Sequence, residues 1–214
     1  MIGAVLFDFN GTLSDDEPIL CELWQEIFAE HGRRLAREEY FDRLAGLSDP
    51  EIAEAWLGKG HPALAAAIEE HVRRYRERVA DGSTVSPDLR AVVRAVAATR
   101  PVGVVSGAMR AEVEPVLAAA GLAETVSVLV TADDVAHGKP DPESYLLALA
   151  RLGWDGAPGD VLAFEDSEAG ILAAKAAGLR CVALLGTVPR ARLTAAAEIV
   201  ERIDLRLLER LLAG

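Results

Sequence analysis

The sequence predicts an α/β fold: a doubly wound, Rossmann-like parallel sheet core into which a helical cap is inserted. Three observations predict it. Short apolar runs alternate with longer amphipathic ones along the whole chain. Each short run is apolar nearly throughout and ends in a polar cluster, as strands covered on both faces of a parallel sheet do. The stretch between the first run and the second, residues 10–101, is far longer than one crossover helix requires.

The predicted strands are residues 2–9, 102–105, 126–131, 161–164 and 181–185, with a weak edge strand at 198–200. Helical patterns occupy residues 89–98, 110–120, 142–152 and 168–177, and Gly121, Gly153 and Gly178 stop the last three. Within the long insertion the pattern is helical from Pro18 to about Ala80. Ile19, Leu20, Leu23, Trp24, Ile27 and Phe28 form one apolar face there; Ile68, Val72, Tyr75 and Val79 form another. Ser48 and Glu51 fit a capping box. The polar segment 81–88, with Gly82 and Pro87, reads as the return hinge, opposite 14–17 on the outgoing side. The expected division is a core of residues 1–14 and 85–214 and a cap of residues 15–84.

Composition narrows the function classes. The chain has 214 residues, 51% of them apolar, enough for one or two cores. Its 34 acidic residues against 22 basic ones exclude a general affinity for nucleic acid or anionic membrane. Cys21 and Cys181, far apart in apolar surroundings, form neither a disulfide framework nor a zinc cluster and are expected as buried thiols. No run approaches eighteen apolar residues and no basic leader precedes the first strand, so a cytoplasmic location is expected. The sequence carries no signal of oligomeric state.

Ligands of open parallel sheets bind beyond the carboxyl ends of the strands. The polar residues there are Asp8, Asn10 and Thr12; Ser106 and Gly107; Lys139; and Glu165 with Asp166. Three carboxylates, hydroxyls, a glycine turn and a lysine suit a divalent cation and a phosphoryl group together, because Mg2+ takes hard oxygen ligands and lysine adds point charge to the same oxygens.

The segments FDFNGTL (7–13), VVSGA (104–108), GKPDP (138–142) and FEDSEAG (164–170) resemble the four ordered motifs of the haloacid dehalogenase superfamily. The inserted cap is similar to the helical cap of the β-phosphoglucomutase and phosphoglycolate phosphatase branch. The resemblance implies a hydrolase in which Asp8 attacks phosphorus and forms an aspartyl phosphate that water then cleaves. It implies that Ser106 and Lys139 hold the phosphoryl oxygens, with Gly11, Thr12, Gly107 and the backbone around Asn10. It further implies Mg2+ held by Asp166, Glu165, the Asp8 carboxylate and the main-chain carbonyl of Asn10. The implied partner is a small phosphorylated metabolite.

Position 10 departs from the pattern. Phosphatases and phosphomutases of this superfamily carry aspartate there as acid and base, and an amide has no proton to cycle near neutral pH. Three explanations follow: a slow or fastidious phosphatase; cleavage of a carbon–halogen or carbon–phosphorus bond; or a binder of phosphorylated metabolites. The acidic pair 165/166 argues against metal-free dehalogenation. Lys59, alone in the cap between Gly58 and Gly60, does not resemble a phosphonate-cleaving Schiff-base lysine. Asp15, Asp16 and Glu17 are expected to favour the N-terminus of the first cap helix, and their place also admits a substitute base. His31 is expected at a helix end, His61 and His71 in the cap without metal-ligand partners, and His137 in solvent. Trp24, Trp56 and Trp154 are expected to pack.

Overall fold

A computed structural model describes residues 1–213. Six strands, β1 (Ala4–Phe7), β2 (Val102–Val105), β3 (Val128–Val130), β4 (Val161–Glu165), β5 (Arg180–Leu184) and β6 (Glu198–Val200), form one sheet in the order β3-β2-β1-β4-β5-β6. Every neighbouring pair is parallel. The strands sit where the apolar runs predict them, but β1 and β3 are shorter. β1 stops because the amides of Thr12, Leu13 and Ser14 all turn back onto the Phe9 carbonyl, at 3.2, 2.9 and 2.9 Å. That turn takes the chain out of the sheet directly above the switch between β2 and β4.

Four helices fill the insertion: α1 (Glu17–Glu30), α2 (Arg37–Arg43), α3 (Asp49–Leu57) and α4 (Leu64–Arg78). The capping box forms as predicted at α3, where Glu51 Oε2 accepts from the Ser48 amide at 2.8 Å and its hydroxyl at 2.7 Å. Five more helices flank the sheet: α5 (Pro87–Ala97), α6 (Arg110–Ala119), α7 (Glu143–Leu152), α8 (Glu168–Ala176) and α9 (Leu205–Ala213). The last of these is not among the predicted elements. It is amphipathic, and Leu208 and Leu211 are buried on its side facing α5.

Period-two alternation divides the core. Val5 and Phe7 join an apolar cluster with Val92, Val96, Val113 and Phe164, and Phe7 stacks on Phe164 at 5.1 Å. Ala4 and Leu6 face the opposite layer with Val105, Tyr145, Ala148 and Ile171. Helices thus cover both faces of the sheet. The two chain crossings between insertion and sheet run side by side: Asp15 N donates to Thr84 O at 2.9 Å and Ser14 Oγ to Thr84 Oγ1 at 2.8 Å. Arg90 of α5 fixes the return by donating to the carbonyls of Val85 (2.7 Å) and Gly82 (2.6 Å). Among the described residues no helix is long and apolar enough to cross a membrane.

Candidate active site

The carboxyl ends of β1, β2 and β4 bring residues distant in sequence to one point. Asp8 follows β1 directly and is 7% exposed. Lys139 Nζ donates to Asp8 Oδ1 at 2.6 Å, to Glu165 Oε1 at 2.6 Å and to the Val105 carbonyl at 3.0 Å. Tyr145 of α7 donates its hydroxyl to the same Glu165 oxygen at 2.7 Å. Burial pushes the Asp8 carboxyl up to about 7, with repulsion from Glu165 adding to it and Lys139 opposing. Burial alone would lower the Lys139 ammonium; Asp8 and Glu165 more than offset it and hold the pKa above lysine's usual value.

Asp166 completes the acidic group. One oxygen from each of Asp8, Glu165 and Asp166 lies within 4.8 Å of the others. Burial raises the Asp166 carboxyl well above the usual range, with Asp8, Glu17 and Glu165 contributing, although it accepts a hydrogen bond from Thr187. Three buried carboxyls beside a single lysine would leave negative charge uncompensated if all were ionised, which is why burial favours the protonated forms of Asp8 and Asp166 in the absence of a further cation. Those hard oxygen donors fit a divalent cation. Two glycines permit this crowding. A Cβ on Gly170 would lie 2.0 Å from the Glu165 carboxyl carbon, and one on Gly11, whose φ is +71°, would lie 1.9 Å from Asp166 Oδ2.

Asn10 donates through Nδ2 to Asp16 Oδ2 at 3.0 Å, and Ser106 Oγ approaches Asn10 Oδ1 at 3.5 Å. Asp16 also accepts from the Gly11 amide at 3.3 Å and from Tyr75 Oη at 2.5 Å; burial nonetheless raises it to about 6. Glu17, in the wall of the cleft, accepts from Tyr40 Oη at 3.0 Å. Burial and the neighbouring Asp16 raise it to about 8. These two carboxylates are more than helix-end charges. Buried beside Asn10 and Asp8, they place protonatable groups where residue 10 supplies none.

The cleft between insertion and sheet has a volume of ≈ 230 Å³, and Asp8, Asn10, Ser106, Gly107, Lys139 and Asp166 line it. Glu165 lies beneath Lys139, not in the wall. Gly11 and Thr12 correct the sequence reading. They face a different surface groove; the Gly11 amide is taken by Ser14 O at 2.8 Å, and Thr12 Oγ1 is buried without a partner. Neither residue lines the cleft, although Gly11 packs behind Asp166, and the motif alone does not reveal this. Tyr145 and Thr187 are absent from the predicted set. They position Glu165 and Asp166 from α7 and from the loop after β5, and no local pattern marks them.

The remaining residues divide. His31 ends α1, His137 is exposed and paired with Glu143 at 3.0 Å, Trp56 and Trp154 pack against neighbours, and both cysteines are free and buried. His71 differs from expectation. Fully buried and stacked on Trp24 at 4.3 Å, it faces Asp49 at 3.3 Å and Glu112 at 3.5 Å. Burial lowers its pKa, but the two carboxylates outweigh burial and bring it to about 10. Glu112 belongs to α6, so this cluster bridges insertion and core; the folding back of α3 and α4 creates it.

Known proteins share this architecture. Validoxylamine A 7'-phosphate phosphatase of Streptomyces hygroscopicus subsp. limoneus is 33% identical over 203 residues, covering 87% of either chain. Fructose-1-phosphate phosphatase YqaB of Escherichia coli is 32% identical over 181 residues, covering 84% of this chain and 94% of its own. The crystal structure of an aspartate-to-asparagine mutant of CbbY from Rhodobacter sphaeroides, in complex with xylulose-(1,5)bisphosphate, superposes with a TM-score of 0.82 at 32% identity over 94% of each chain. Residues 2–178 match the haloacid dehalogenase-like hydrolase family, and with these relatives the match establishes that the chain belongs to it.

Proposed function

We propose that the protein is a Mg2+-dependent phosphatase of small phosphorylated metabolites, with Asp8 as nucleophile. The observation that carries this reading is the buried Asp8 carboxylate clamped by Lys139 at the floor of the cleft. The names of the two phosphatase relatives agree with it. The Lys139 hydrogen bond fixes the rotation of the Asp8 carboxylate; Lys139 supplies positive charge beside the phosphoryl oxygens and Ser106 supplies a hydroxyl donor. Attack forms the Asp8 oxygen–phosphorus bond as the ester oxygen–phosphorus bond breaks. A water then attacks the aspartyl phosphate, releasing inorganic phosphate and restoring the carboxylate. Mg2+ bound by Asp8, Asp166, Glu165 and the Asn10 main-chain carbonyl would neutralise charge between nucleophile and substrate. Residues 15–84, as a cap, would close over the ester and exclude water.

The departing alkoxide needs a proton that Asn10 does not hold. Glu17 and Asp16, kept protonatable near neutrality by burial, are the nearby sources, and turnover through them is slower than through an aspartate at position 10. A second reading, binding without turnover, rests on Asn10 alone. Hydrolysis of an aryl phosphate and a panel of metabolite phosphates, with and without Mg2+, by this chain and by Asn10→Asp and Asp8→Ala variants separates the two. Phosphate release lost with Asp8→Ala supports the phosphatase; ester binding without release by any chain that keeps Asp8 supports the binder.

A further inference from the structure

Away from the strand ends, much of the cleft lining is acidic or apolar. Glu17, Asp49, Glu51 and Glu112 are part of it together with Leu20 and Ile52, and Lys139, already shared between Asp8 and Glu165, is the one lysine or arginine in the lining. The basic residues of the insertion are turned elsewhere. Arg73, Arg74 and Arg78 pair with glutamates on the outer faces of α1 and α4, while Arg37 and Arg43 lie over the Phe41 and Trp56 rings. His71 is sealed from the cleft and faces Asp49 and Glu112, so its charge is balanced where it stands.

A phosphoryl group on Lys139 therefore leaves the rest of the substrate among carboxyls. A second anion there would be buried without a counter-ion, whereas hydroxyls find acceptors and an ammonium finds a partner. We infer that this cleft selects monophosphates of neutral or cationic polyols and rejects esters carrying a second phosphate or a carboxylate. This inference rests on the phosphatase reading of the same site. It sets the chain apart from the CbbY mutant, whose crystallised ligand is a bisphosphate.

Binding and turnover test the two readings separately. Titration calorimetry with Mg2+ on the unaltered chain compares fructose 1-phosphate and glucosamine 6-phosphate with fructose 1,6-bisphosphate and phosphoglycolate. Dissociation constants for the two esters carrying a second anionic group are expected to be about 100-fold weaker, the size of a buried charge left without a partner. Leu47→Arg, which puts a cation in the wall, is expected to narrow the gap by tightening the bisphosphate. A bisphosphate that binds the unaltered chain as well as the monophosphate overturns the inference and leaves the phosphatase standing. Discrimination in binding with no phosphate release supports the inference and removes the phosphatase. No phosphate-dependent binding by any ester overturns both.

Discussion

Asn10 sits 3.0 Å from a carboxylate oxygen of Asp16, so restoring an acid at position 10 would set two carboxyls in contact. Two such groups cannot both ionise in a buried place, and one keeps its proton, as a general acid must. Asn10→Asp is expected to raise the turnover number by about 10²- to 10⁴-fold, the usual contribution of a positioned acid/base, measured as phosphate release at saturating ester and Mg2+. Gly170 offers the converse test. Its Cβ position lies inside the Glu165 carboxyl, so Gly170→Ala must displace the group that holds Lys139. Loss of activity with retention of the far-ultraviolet circular dichroism spectrum is the expected outcome; full activity would show that Glu165 is free to move. Asp8, Asn10, Lys139 and Asp166 were legible in the sequence because each stands next to a strand end or in a short motif. Gly11 and Thr12 belong to the same motif, yet they line a different groove.

At the scale of elements, strands and helices follow from the two periodicities, with their ends set by turns that the periodicities do not encode. α9 shows a limit of another kind: nine residues with only Leu208 and Leu211 buried give a short amphipathic signal. Its packing on α5 is nonetheless expected to matter. Leu208→Ala should cost about 2–5 kcal/mol, the range for emptying a buried leucine site, read from urea denaturation as a shift of midpoint without a change of slope. A loss below about 0.5 kcal/mol would mean that α9 frays from α5 and carries little of the fold.

For the molecule as a whole, the cleft and the interface between insertion and core gather groups that bind protons more tightly when folded. Glu17 rises from its ordinary 4.5 to about 8, Glu112 from 4.5 to about 7 and His71 from 6.5 to about 10. Burial drives the first two; in His71 the attraction of Asp49 and Glu112 overcomes burial. A raised pKa stabilises fully below the unfolded value and loses that contribution as pH climbs through the folded one. Thermal melts in chelator should therefore show the Tm falling steadily from pH 5 to pH 9. Asp134, held low chiefly by Arg151, slopes the other way, but only around and below its ordinary 3.8. A flat or rising Tm across that window would mean that water reaches these groups. Mg2+ is expected to raise the Tm at pH 8 through binding to the folded state, and Asp166→Asn to remove the increment.

The order of elements, the inserted helices and the four motifs are written in the chain, since hydrophobic period and strand-end polarity are local properties that survive without a fold. What the sequence could not supply is which groups meet across the cleft. The sharing of Lys139 between Asp8 and Glu165, the support of Glu165 by Tyr145, the contact of Asn10 with Asp16 and the bridging of His71 between Asp49 and Glu112 join residues from 6 to 131 positions apart. Burial and charge act on these groups through space, so only the packed molecule determines which carboxyls hold protons and which charge a substrate would meet.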